Sequence, residues 1–212
     1  QGHFLTTGDQ ARGVNVLAVQ TQTPWGSDNA AQLKETIDTY LANHPEVDKG
    51  RIYLAGVSNG GGMVLTMGAT YPDYFAALIA APLTVDQSGI DKLKNQPMWL
   101  IHTKADATVQ PENSVLPLYK SLITSGATNK WFSYFETATG TDLPGTEYDG
   151  HWAWIYFFHD QVIGVQHPEN TKNWDGYSGM VATDPTNGGG SRASVNGQTY
   201  NSIFDWMSAQ RH

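Results

Sequence analysis

The sequence predicts an α/β domain, a mainly parallel sheet with helices on both faces, and two observations carry that reading. Short apolar, β-branched runs alternate with segments of helical period, the pattern of strand–helix–strand units. One run, residues 51–57, passes through a glycine-rich turn into Met63, Val64, Leu65 and Met67, a buried-helix composition. With 212 residues and 40% hydrophobic content, the chain suffices for one domain, residues 1–212, with a substantial core.

Taken in order, residues 1–13 show no sustained period. Residues 14–20 (Val-Asn-Val-Leu-Ala-Val-Gln) read as a buried strand ending in a polar loop. Ser27 and Asp28 offer caps for a helix over residues 29–43, with Leu33, Ile37 and Leu41 on one face and His44-Pro45 as its stop. Residues 51–55 form the next strand, and the helix after its turn runs to about Thr70. Residues 75–81 are another buried run, closed by Pro82.

Residues 98–101 form a short strand leading into His102 and Asp106. Residues 112–125 carry Val115, Leu116, Tyr119, Leu122 and Ile123 at helical spacing, and Gly126 ends that helix. Residues 131–135 alternate as a strand, after which a polar loop delivers Gly150-His151-Trp152. Residues 166–198 are rich in Asn, Gly, Thr and Pro and read as an inserted loop. Residues 199–212 close the domain as an amphipathic helix, with Ile203, Phe204 and Met207 inward.

Composition narrows the function classes. Lys+Arg 12 against Asp+Glu 20 gives a net charge of −8 with no basic run, which argues against nucleic acid or an anionic membrane as partner. With no cysteine, disulfides, thiolate metal sites and a cysteine nucleophile are excluded. No stretch approaches the roughly 20 apolar residues of a membrane span. No His/Asp/Glu pair shows ligand spacing on a helix, so neither metal nor cofactor is expected. A charged content of 15%, many Trp and Tyr residues and Asn/Thr/Gly-rich loops fit a secreted or periplasmic protein.

The turn at residues 56–60, Gly-Val-Ser-Asn-Gly, is where chemistry is expected. A serine at the apex of a strand-to-helix turn projects its oxygen away from the backbone, and glycines on both sides are read as avoiding collisions with the neighbouring elements. Ser58 is the candidate nucleophile. A serine hydroxyl needs a histidine to take its proton, and that imidazole needs an acid to orient it and stabilise its charge. His151, after the last strand, is the candidate base, and Asp106, just past the strand at 98–101, the candidate acid. The order Ser, Asp, His is that of the strand ends in an α/β-hydrolase sheet. Alternatives are a surface-loop role for His151, a turn-capping role for Asp106, Asp149 as rival acid and His102 as rival base. His102 lies at a strand exit beside Asp106 and is read as supporting the site.

Three blocks carry a family resemblance: Gly-Val-Ser-Asn-Gly-Gly (56–61), Ile-His-Thr-Lys-Ala-Asp-Ala-Thr-Val (101–109) and Asp-Gly-His-Trp-Ala-Trp (149–154). They resemble the polyhydroxybutyrate-depolymerase-like and feruloyl-esterase-like branch of the α/β-hydrolase superfamily, over about residues 14–160 plus the last helix. The resemblance implies an α/β-hydrolase fold and a serine esterase for short acyl, hydroxycinnamoyl or polyester-type esters. It further implies Ser58 as nucleophile, Asp106 as acid, His151 as base and the backbone N–H of Asn59 as one oxyanion donor. Thr103 stands where the family usually has glycine. Trp25, Trp152 and Trp154, near predicted strand exits, are expected to line an acyl or aromatic pocket, with packing against helices as the alternative. Trp174 and Tyr177, in the 166–198 segment, are candidates for a lid or a stacking platform.

The second oxyanion donor of this fold comes from a His-Gly-type loop after an early strand, and no such loop stands before Ser58 here. Because only one strand is read before the nucleophile strand, the chain is expected to lack the first strands of the fold, with an upstream segment of the same precursor completing the sheet. A serine peptidase of the same superfamily and a non-catalytic binding domain are the alternative functions.

Overall fold

The computed structural model describes residues 14–83, 89–139, 145–158, 193–195, 198–200 and 203–212. Strands β1 (Tyr53–Ser58), β2 (Ala77–Leu83), β3 (Met98–Thr103) and β4 (Lys130–Phe135) form one sheet in the order β1-β2-β3-β4. All three pairings are parallel. Helix α1 (Ala30–Asn43) precedes β1, α2 (Asn59–Thr70) joins β1 to β2, the short α3 (Ile90–Leu93) precedes β3, and α4 (Val115–Thr124) joins β3 to β4. Each parallel step needs a crossover, and α2, α3 and α4 lie in the three connections.

Side chains alternate across the strands, so the sheet has two buried faces. Leu78, Ala80, Leu100, Phe132 and Tyr134 pack with Leu33, Ile37 and Leu41 of α1, Met63, Val64 and Met67 of α2, and Leu118 and Leu122 of α4. On the other face Ile79, Trp99, Ile101, Trp131 and Phe135 pack with Tyr156 and Phe157 of α5 (Trp154–Phe158) and Ile203, Phe204, Trp206 and Met207 of α6 (Ile203–Ser208). With helices on both sides, β3 and β4 are buried at all six positions each. The alternation expected for residues 131–135 is therefore not one of buried and exposed residues; both parities point into protein. The last helix is anchored by stacking and hydrogen bonding. Trp206 meets Trp99 edge-on at 5.3 Å, and its indole N–H donates to Asn129 Oδ1 at 3.0 Å.

Three expectations change. Residues 14–20 form no strand: Val16 and Leu17 are exposed, and Asn15 accepts a hydrogen bond from Tyr40 of α1. A β-branched run becomes a strand only where a neighbour meets its N–H and C=O groups, and no described strand pairs with it. At the start of α1, Ser27 and Asp28 form a 3₁₀ turn (Ser27–Asn29) and do not cap the helix. At the end of the expected loop 166–198, β7 (Ala193–Val195) pairs antiparallel with β8 (Gln198–Tyr200). The closing helix accordingly begins at Ile203, after a strand. The rest of the 166–198 segment, with Trp174 and Tyr177, lies outside the described residues. β5 (Ala138–Thr139) and β6 (Glu147–Tyr148) form a further small antiparallel pair.

Candidate active site

Ser58 ends β1 and stands immediately before α2, with φ 51° and ψ −121°. A non-glycine residue there stores roughly 1–3 kcal/mol of backbone strain, which the surrounding packing must hold. The packing is visible at Gly56, where a Cβ would lie 2.2 Å from the carbonyl oxygen of Gly60 and 2.9 Å from Val64 Cγ2. The first turn of α2 can press onto β1 only if residue 56 has no side chain. Gly60 is different: a Cβ there would meet nothing within 4 Å, so steric need applies to the first glycine and not to the second.

Asp106 follows β3 and is buried, at 2% exposure. Its Oδ1 accepts the main-chain N–H groups of Thr108 (2.9 Å) and Val109 (2.8 Å), closing a turn that fixes the carboxyl plane. His151 sits in the 3₁₀ turn Gly150–Trp152. That turn docks directly on the Asp106 segment, since a Cβ on Gly150 would lie 2.3 Å from the carbonyl of Ala105. Thr103 Oγ1 donates to Gly150 O at 2.6 Å and ties the turn to the end of β3. The structure thus brings the three candidates together. His151 Nδ1 lies 2.9 Å from Asp106 Oδ2, and His151 Nε2 lies 2.9 Å from Ser58 Oγ. With Nδ1–H donating to the carboxylate, Nε2 is left as the acceptor for the serine proton.

The rivals fall elsewhere. Asp149 Oδ1 accepts the main-chain N–H of His151 at 2.9 Å, capping the turn. His102 is fully buried on β3. Its Nε2 lies 2.9 Å from Val109 O and must carry the proton, leaving Nδ1 without a partner among the described residues. Burial pushes the imidazole pKa down to about 4, against the opposing pull of the Val109 carbonyl and the Asp106 carboxylate, whose Oδ2 is 3.6 Å away. His102 is thus a neutral support beneath the acid.

Asn59, first residue of α2, has a main-chain N–H that no helical carbonyl can accept. Its side chain contacts the main chain of Trp25, which is half-buried against the hydrophobic core. Trp152 is 45% exposed beside the candidate base. It lies 5.7 Å from Tyr148 and 6.3 Å from Trp154, and Trp154 meets the His151 ring edge-on at 5.5 Å. Two contributors escaped sequence reasoning: Thr103, noted only as a departure from the family pattern, and the Asn59 side chain, behind the role of its backbone. Asn directly after the serine was the available signal.

Comparison with known proteins bears on the fold. The prolyl oligopeptidase family matches residues 8–95, a span that includes Ser58 and stops before Asp106. A solved thermostable esterase superposes with a TM-score of 0.53 at 27% identity, covering 62% of this chain and 34% of its own. The chain has the α/β-hydrolase fold. Poly(3-hydroxyalkanoate) depolymerase C of Paucimonas lemoignei is 43% identical over 58 residues, which are 27% of this chain and 13% of the depolymerase. The acylaminoacyl peptidase of Pyrococcus horikoshii is 19% identical with a TM-score of 0.49, over 61% of this chain and 26% of the peptidase. The match thus spans about a third or less of these relatives' length.

Proposed function

We propose that the chain is a serine carboxylic-ester hydrolase that works through an acyl-enzyme on Ser58. The observation that carries this reading is the continuous relay from Asp106 through His151 to Ser58, with 2.9 Å at each step. Ser58 Oγ attacks the ester carbonyl while Nε2 of His151 takes its proton, and Asp106 stabilises the resulting imidazolium. The carbonyl oxygen gains negative charge, and the Asn59 N–H, at the positive end of α2, is the donor we assign to it. The imidazolium returns its proton to the leaving alkoxide. Water, deprotonated by the same imidazole, then releases the acid and restores Ser58.

Short acyl, hydroxycinnamoyl or polyester-type esters are the proposed substrates, supported by the likeness to a depolymerase and an esterase. Trp25 and Trp152 are the proposed apolar contacts. An exposed tryptophan beside the base offers a face for a flat or apolar acyl group. A peptidase is the second reading, favoured by the prolyl oligopeptidase match over residues 8–95. A scaffold kept for binding alone would need neither the positive φ of Ser58 nor a complete relay. A secreted or periplasmic setting, proposed from composition, suits a substrate outside the cell.

Fluorophosphonate labelling with peptide mapping tests the nucleophile. Label on Ser58, together with hydrolysis of p-nitrophenyl acetate that falls on the order of 10⁶-fold in Ser58→Ala, is expected. Unchanged turnover in that variant would remove Ser58 from the mechanism, and preference for a peptide anilide would move the assignment to a peptidase.

A further inference from the structure

Asn59 lies directly after the candidate nucleophile, and its side chain uses both of its polar groups on one residue 34 positions away. Trp25 N–H donates to Asn59 Oδ1 at 2.6 Å, and Asn59 Nδ2 donates to Trp25 O at 3.1 Å. The orientation of the amide is forced, because only its oxygen can meet an N–H and only its nitrogen a carbonyl. The side chain makes no bond to its own helix; both of its polar groups are used on Trp25.

The other end of the contact is stiff as well. Gly26 N–H donates to Asn29 Oδ1 and Asn29 N–H returns to Gly26 O, each at 3.0 Å, so the Trp25 segment is an arm rooted in the start of α1. Trp25 and Asn59 together border a cleft of about 470 Å³ along α2, lined also by Met63 and Leu65.

We propose that Asn59 is a positioning residue for acyl transfer: its side chain latches the Trp25 segment to the first turn of α2 and so holds its own backbone N–H toward the oxyanion. The proposal rests on the ester-hydrolase reading in taking Ser58 as nucleophile. Asn59→Ala deletes both hydrogen bonds. Asn59→Asp keeps the acceptor for Trp25 N–H and sets an anion against Trp25 O.

The test measures the rate of Ser58 phosphonylation by a fluorophosphonate, kcat and KM on p-nitrophenyl acetate, hydrogen exchange in residues 20–29, and melting temperature. In Asn59→Ala, labelling rate and kcat should fall about tenfold, less than the 10²–10³ that follows loss of a whole oxyanion donor, with KM changed less than kcat. Exchange in residues 20–29 should rise. Asn59→Asp should lose at least as much rate. If Asn59→Ala labels at the wild-type rate while exchange rises, the latch is structural only and the proposal falls; unchanged exchange overturns it by removing the latch. A wild-type protein unlabelled at Ser58 overturns the ester-hydrolase reading, and this proposal with it.

Discussion

The carboxylate of Asp106 meets His151 Nδ1 at 2.9 Å through one oxygen, while main-chain N–H groups of Thr108 and Val109 hold the other. The acid therefore cannot turn away from the imidazole. Asp149, two residues from His151, holds only that residue's main chain. Asp106→Asn should lower kcat about 10⁴-fold, because a carboxamide can present its N–H₂ to Nδ1 and trap the wrong tautomer. Asp149→Ala should cost about 1 kcal/mol of stability, the usual worth of such a cap, with kcat reduced far less. Steady-state kinetics and thermal melts of both variants decide it; comparable kcat losses would return Asp149 to contention as the acid.

The two glycines around Ser58 should behave differently. Gly56→Ala places a Cβ 2.2 Å from Gly60 O, and since both partners are backbone in packed elements, it should destabilise by about 3 kcal/mol or more. Gly60→Ala has open space and a helical position, and should be neutral or stabilising by up to about 1 kcal/mol. Urea midpoints measure both. A Gly56→Ala protein as stable as wild type would show that α2 does not press on β1 as described.

His102 gives the stability a pH dependence. Its pKa drops from an ordinary 6.5 to about 4 because burial disfavours the cation. The unfolded chain therefore binds a proton below pH 6.5 that the folded chain refuses. The contribution is complete above pH 6.5 and is lost as pH falls toward 4, amounting to about 3 kcal/mol. His102→Gln, which keeps a donor for Val109 O and does not titrate, should flatten that decline. Unfolding midpoints between pH 7.5 and 4.5 read it directly, and parallel slopes for both proteins would mean that His102 is not buried in its neutral form.

Trp152→Ala should raise KM for hydroxycinnamoyl esters about threefold to tenfold, the worth of one aromatic contact. KM for acetate should move less. Because the ring is 45% exposed, melting should shift by no more than about 0.5 kcal/mol allows. Equal KM changes for aryl and acetyl esters would place Trp152 outside the acyl contact.

What could be read in advance was local. The four strands, the inward Leu33, Ile37 and Leu41, and the turn around Ser58 follow from period and glycine placement within about fifteen residues, where backbone sterics decide the outcome. The order of Ser58, Asp106 and His151 was legible because a parallel sheet delivers its strand ends to one side. Residues 14–20 misled for the opposite reason: a strand is a property of a pair, and the run itself does not say whether a neighbour exists.

The sequence by itself determined the residue types, their order and the strained turn that carries Ser58. Only the tertiary structure decided which groups touch. Gly150 lets the His151 turn settle on Ala105, Thr103 fastens it, and Asn59 reaches back across 34 residues to Trp25. Those contacts span separations at which sequence period carries no information, and their geometry is set by the packing of finished elements against one another.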